Sequence, residues 1–258
     1  MIRVFLASAY YGYKGLFFWG GPLVYFVQCI FLPLAQISFF SLIGAFGGSQ
    51  PLEFYLIGNA MVVASLGGFT IGVAIGMERE IGTLSYLLAS PANRVALFFG
   101  RAAIHVLEGA LYVLVAFAWV LLAFGLDIPV RSWAGILLTV ATGTLAVSGL
   151  GLLLGALGYL VLDAWVSGNL MIFALLLLSG ANVPLSEFPP VVALIGKVLP
   201  LTRSIEAARA LAAGGELATS LPLLLGDLGV GLGYGLVGFA LFNWIEAQAR
   251  RRGTLENV

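Results

Sequence analysis

The sequence predicts an all-α membrane protein with six transmembrane helices, and three observations carry that prediction. Hydrophobic residues make up 61% of the chain and charged residues only 9%, against roughly 25% charge in a soluble domain. Mean hydropathy is +1.06. The charges cluster, leaving uncharged runs from Gly15 to Leu52, Phe54 to Met77, Gly109 to Leu126, Ser132 to Leu162, Ala164 to Ser186 and Leu228 to Ile245. Each is near or above the ~18 to 20 residues that cross the hydrocarbon. Alternating strand patterns are absent, and a backbone in lipid must satisfy its own hydrogen bonds, which leaves helices.

Before the first run, residues 1–18 read as an interfacial helix. Tyr10, Tyr11, Tyr13 and Trp19 suit headgroup level, and Arg3 and Lys14 suit the cytoplasmic surface; an ordinary positively charged flank is the plainer alternative. Ala7-Ser8-Ala9 imitates a signal cleavage site, but the apolar run Val4 to Leu6 is too short for a leader. Residues 78–94 interrupt the apolar pattern after the second span and read as a short helix at the membrane surface. Thr83 can cap it, and Pro91 stops it by disfavouring the α conformation at Ser90. On the third span Arg101, His105 and Glu108 share one face at i, i+4, i+7. They read as a structural cluster near the inner boundary in preference to a proton relay, since opposite charges there can neutralise one another.

A very short turn, Leu162-Asp163-Ala164-Trp165, joins the fourth and fifth spans. Pro184, Pro189 and Pro190 end the fifth, and Val191 to Val198 is too short to cross. Arg203, Glu206 and Arg209 recur on one face of the next segment, with Ile205, Ala208 and Ala212 opposite, the pattern of an amphipathic helix on the outer leaflet. Gly233-Tyr234-Gly235-Leu236-Val237-Gly238 matches a dinucleotide fingerprint, but it falls inside the sixth span, where small residues serve helix packing. Gly68, Gly72 and Gly76, with Gly151 and Gly155, form a comparable ridge. Residues 245–258 make a tail.

Sidedness follows from the cations. With the N-terminus inside, Arg3, Lys14, Arg79, Arg94, Arg101 and Arg250 to Arg252 are cytoplasmic, twice the number of Arg131, Lys197, Arg203 and Arg209 outside. Both termini are therefore expected in the cytoplasm of a plasma-membrane protein. The formal net charge is zero, and nothing points to nucleic acid. One Cys, Cys29, precludes an intramolecular disulfide, and one His leaves no set for a zinc hydrolase. Asp163 and Asp227 lack protease motifs, and Ser148 has no evident base. Neither Lys14 nor Lys197 follows a phosphate-binding glycine loop, so any ATP hydrolysis belongs to another polypeptide.

Two stretches carry a family resemblance. Glu78-Arg79-Glu80-Ile81-Gly82-Thr83-Leu84, running on to Leu87-Leu88-Ala89-Ser90-Pro91-Ala92-Asn93-Arg94, resembles the first cytoplasmic loop of the type-2 (ABC-2) permease subunits of ATP-binding-cassette exporters. Pro184-Leu185-Ser186-Glu187-Phe188-Pro189, followed by Leu199-Pro200-Leu201-Thr202, resembles that family's extracellular helical hairpin, here residues 184–219. Ser85 departs from the carboxylate common after Gly-Thr-Leu. The resemblance implies that 78–94 is a coupling helix docking on a cytoplasmic ATPase subunit through Glu78, Arg79, Glu80, Gly82, Thr83, Leu84, Leu87, Leu88, Ser90, Pro91 and Arg94. It implies ATP and Mg in that partner, none in this chain, and a second permease copy, identical or related. It places the second and fifth spans along the central dimer interface, which favours Asn59 and Asn169 as lining a substrate path. Thr70 and Asn182 are further candidates, although amides within spans are more often interhelical glue.

The resulting expectation is a non-enzymatic permease subunit exporting a hydrophobic or amphipathic substrate, such as a drug, lipid or lipid-linked glycan. An ion-gradient secondary transporter using His105 and Glu108 is the alternative, but no inverted repeat is visible. A membrane scaffold presenting the hairpin to a partner is a third reading.

Overall fold

The computed structural model describes residues 1–15, 21–80, 92–158 and 163–252. Ten α-helices are described: α1 (Ile2–Gly15), α2 (Gly21–Gly47), α3 (Leu52–Val62), α4 (Ala64–Glu80), α5 (Arg94–Phe124), α6 (Trp133–Gly158), α7 (Ala164–Leu178), α8 (Pro190–Val198), α9 (Thr202–Ala212) and α10 (Leu217–Arg252). No strand occurs among the described residues.

Among the described residues, five spans are long and apolar enough to cross a membrane: Gly21–Gly47, Leu52–Gly76, Val95–Phe124, Val130–Gly158 and Leu217–Gln248. Six crossings are expected from the sequence, and five helices of spanning length are seen. The fifth expected one is α7, with 15 residues. At 1.5 Å per residue it covers only about 22 Å, short of the ~30 Å hydrocarbon. Asp163 fixes its start by accepting from the Trp165 and Val166 amides at 2.8 and 3.3 Å. Beyond Leu178 the chain leaves the helix over Ser179 to Val183.

Other boundaries differ for physical reasons. The second span is two helices, α3 and α4, meeting at a turn at Val63. α5 starts well before Gly109 and carries Arg101, His105 and Glu108 inside it. α10 starts at Leu217 and runs 36 residues through Pro222 and Asp227, so the expected tail from 245 is helical as far as Arg252. The charge pattern predicts shorter helices because it takes a charge as solvent-facing, whereas Glu108 and Asp227 are buried. The N-terminal segment is helical over Ile2–Gly15 and packs along the start of α5, where the Ser8 hydroxyl donates to the Leu97 carbonyl at 2.7 Å.

The main apolar core is built from α3, α5, α6, α7 and α9, around Leu56, Met61, Phe117, Ile136, Leu175 and Ile205, and beside it α4, α6 and α10 meet in a close three-helix seam of small residues. A Cβ on Gly155 would meet the Gly72 Cα at 3.3 Å, and a Cβ on Gly151 would run into the Gly68 backbone. On the other face of α6, Gly149 meets Gly231 backbone to backbone, and a Cβ on Gly238 would lie 2.7 Å from the Leu153 nitrogen. The fingerprint glycines are thus divided: Gly235 and Gly238 face α6, and Gly233 faces open space. With lipid as apolar as Leu, such close approach supplies the van der Waals contact that holds spans together.

The hairpin helix α9 is not a surface helix with one charged face, as its sequence pattern predicts. Ser204, Ile205, Ala207 and Ala208 are fully buried against α3, α6 and α10. Glu206 is exposed, but Arg209, one turn on, reaches inward.

Candidate functional site

α4 stays helical to Glu80 and α5 begins at Arg94, so the expected coupling segment joins the C-terminus of one core helix to the N-terminus of the next. Gly82, Thr83, Leu84, Leu87, Leu88, Ser90 and Pro91 lie outside the described residues, as do the side chains of Glu78, Arg79, Glu80 and Arg94. With them lies the short helix expected there. The start of α5 is fixed by Asn93, whose side-chain oxygen accepts from the Ala96 amide at 3.0 Å. Asn at this position satisfies an otherwise orphaned N–H, so the chain turns directly from the loop into the third span.

Between these helices sits a buried carboxylate. Glu108 is 5% exposed. Its Oε1 accepts from the hydroxyls of Tyr25 on α2 at 2.9 Å and Tyr112 on α5 at 2.8 Å. Its Oε2 lies 2.8 Å from His105 Nδ1 and 3.0 Å from the Thr70 hydroxyl on α4, which divides its proton with the Gly67 carbonyl at 2.8 Å. Because a carboxylate only accepts, the His105 proton is assigned to Nδ1. The other ring nitrogen, Nε2, is buried and without a partner among the described residues. Arg101 is half-buried one turn earlier on α5. Of the expected cluster, the structure joins His105 directly to Glu108, and it adds Tyr25, Thr70 and Tyr112.

The four candidate path residues occupy different environments. Asn59 is fully buried and faces Asn182: each amide nitrogen donates to the other's oxygen, at 2.9 and 3.4 Å, and Asn59 also donates to the Tyr55 carbonyl at 2.9 Å. Thr70 belongs to the Glu108 cluster. Asn169 is exposed on α7, its amide nitrogen donating to the Trp165 carbonyl of its own helix at 2.8 Å.

Two further polar groups anchor the hairpin. Arg209 donates to the carbonyls of Phe54, Gly180 and Ala181 at 2.8 to 3.2 Å, and its guanidinium lies 3.4 Å from the centre of the Phe54 ring. Burial pulls its pKa down to about 9, while Glu206 and then Tyr55 favour the charged form, so it stays a cation at neutral pH. Asp227 on α10 accepts from the Leu201 amide at 3.1 Å and from the Ser204 hydroxyl. It thereby caps α9 from outside at the end where the helix dipole favours negative charge. Leu201 itself is in the left-handed region, φ 72°, with no side-chain cap of its own.

The ABC-2 type transporter family model matches residues 4–212, well over half of the chain. The chain belongs to the ABC-2 type transporter family. No curated protein matches it. The matched region takes in the 78–94 segment, both helices flanking it and every residue around Glu108, and ends with α9; α10 follows. As an ABC-2 type transporter, the chain is a multi-pass membrane protein and the permease component of an ABC transporter. Sequence reasoning missed Tyr25, Asn93, Tyr112 and Asp227. Tyr112 carried a usable signal, lying four residues after Glu108 on the same face. Tyr25 and Asp227 carried none, because their partners come from distant elements.

Proposed function

We propose that this permease is one subunit of an ATP-driven exporter, powered by a separate cytoplasmic ATPase that binds Mg and ATP and docks on residues 78–94. The observation that carries the reading is the family match, which spans a polar segment set between two core helices. Surface charges on Glu78, Arg79, Glu80 and Arg94 would orient the ATPase, and Leu84, Leu87 and Leu88 would bury against it. In this reading α7 and the stretch after it make a sixth crossing, both termini are cytoplasmic, residues 1–18 lie at the inner surface, and α8 and α9 face outside. Two copies, or this chain and a related one, enclose the path for a drug, lipid or lipid-linked glycan. Asn169 is the candidate path residue that faces outward from its own chain; Asn59, Asn182 and Thr70 act as interhelical ties.

The test is purification of the tagged protein from its native membrane in mild detergent, with identification of co-purifying chains and an ATP hydrolysis assay. A stoichiometric ATPase that is lost when residues 78–94 are replaced supports the reading. Intact protein that transports without any ATPase overturns it in favour of a gradient-driven carrier.

A further inference from the structure

Glu108 belongs to α5, the helix that comes after the 81–91 segment. One of its donors, Thr70, belongs to α4, the helix that precedes that segment, and another, Tyr25, belongs to α2. Beside the carboxylate the α4 and α5 backbones touch: a Cβ on Gly67 would lie 2.7 Å from the Gly109 Cα. Along the α2–α5 seam, Cys29 Sγ is 3.7 Å from the Tyr112 hydroxyl, and Trp119 Nε1 donates to the Ser38 hydroxyl at 3.0 Å. A carboxylate offers about four lone-pair sites and no donor, so it can hold hydroxyls from two other helices at once. Within a bilayer those hydroxyls have no water to turn to, and releasing either one leaves a buried charge short of donors.

We propose that Glu108 is a positioning residue that fastens α2, α4 and α5 into one mechanical unit, so that a displacement of the segment between α4 and α5 moves all three helices together. The proposal rests on the reading of 78–94 as the ATPase-docking element. From Arg94 to Glu108 is about 21 Å along the helix at 1.5 Å per residue. Fastening at that depth carries motion from the surface into the span, where separately hinged helices would let it dissipate between them.

The experiment places spin labels at Leu23→Cys on α2 and Leu122→Cys on α5, positions 75% and 86% exposed, with buried Cys29 left in place. Distances are measured by pulsed electron resonance on the full chain, with any co-purified ATPase, in lipid nanodiscs, nucleotide-free and after trapping with ADP and vanadate. The wild type is expected to give one narrow distribution with the same centre in both states. Glu108→Gln and Tyr25→Phe are expected to broaden it severalfold. His105→Leu removes a donor that lies on α5 itself and is expected to leave it narrow, although it too strips a hydrogen bond from the cluster. Should Glu108→Gln fail to fold, Tyr25→Phe, which deletes one hydroxyl, carries the test. Narrow distributions in every folded variant, or broadening by His105→Leu equal to that by Tyr25→Phe, overturn the fastening. So does a wild-type centre that shifts on trapping. If no ATPase co-purifies while Tyr25→Phe still broadens the distribution, the docking reading fails and the fastening stands.

Discussion

Arg209 gives its guanidinium to backbone carbonyls of two other segments instead of to a carboxylate, which makes it a tie between α3, the end of α7 and α9. Truncating it to Ala strands those carbonyls, and the expected loss is about 3 kcal/mol, read as a lower thermal midpoint in detergent. Lys, with a point charge in place of a planar fork, should recover only part of it. The pH dependence has a defined sign. Because burial lowers the folded-state pKa to about 9 from 12.5, the unfolded chain holds a proton through that window that the folded chain has released. This group's contribution to stability therefore rises with pH above about 9 and is flat below it, so Arg209→Ala should lower the midpoint equally at mildly acidic and neutral pH. The two amides predicted for the substrate path separate at the same scale. Asn59→Ala removes half of a buried reciprocal pair and should cost about 1 to 3 kcal/mol. Asn169→Ala, on an exposed face, should stay within about 0.5 kcal/mol of wild type while altering transport. Their environments were not legible in the sequence, since both read as lone amides in apolar runs and only the fold brings Asn182 to Asn59.

Among the elements, the glycine seams were the most legible part of the fold. Spacing by four along Gly68, Gly72 and Gly76, and along Gly151 and Gly155, already marked the faces that meet. The neighbouring fingerprint offers an internal comparison. Gly238→Val drives a branched side chain into the α6 backbone and should cost about 1 to 3 kcal/mol or abolish monodisperse protein on size exclusion. Gly233→Val points into open space and should behave as wild type in the same assay. Helix ends were less legible. Reading charge as exposure truncated α5 and α10, because nothing local reveals that Glu108 and Asp227 find donors on other helices. The α9 pattern misled for the mirror reason: i, i+3 spacing aligned Arg209 with Glu206, and a long side chain then reached past its own helix face to carbonyls. The break at Val63 has no Pro or Gly to announce it.

For the whole molecule, the fold class and family were open to sequence reasoning because they rest on composition and on motifs that do not depend on distant contacts. The number of crossings was not, since α7 is short and the uncharged run around it continues past the end of the helix. Labelling with a membrane-impermeant maleimide decides it. With six crossings, Lys197→Cys is labelled in intact cells, whereas Arg3→Cys and a C-terminal Cys are labelled only after permeabilisation. Five crossings would put the C-terminal Cys and Arg3→Cys on opposite sides. Synthesis order adds a consequence of the cap on α9. The Leu201 amide at its start and the Ser204 hydroxyl are satisfied from Asp227, 26 residues downstream of Leu201, on a helix that emerges later from the ribosome. A chain arrested after Ala212 thus holds a hairpin helix with an open end and no counterpart for Gly149, so the final span acts as the closing wedge of biogenesis. Truncation before it should leave a protease-sensitive hairpin on an otherwise inserted protein.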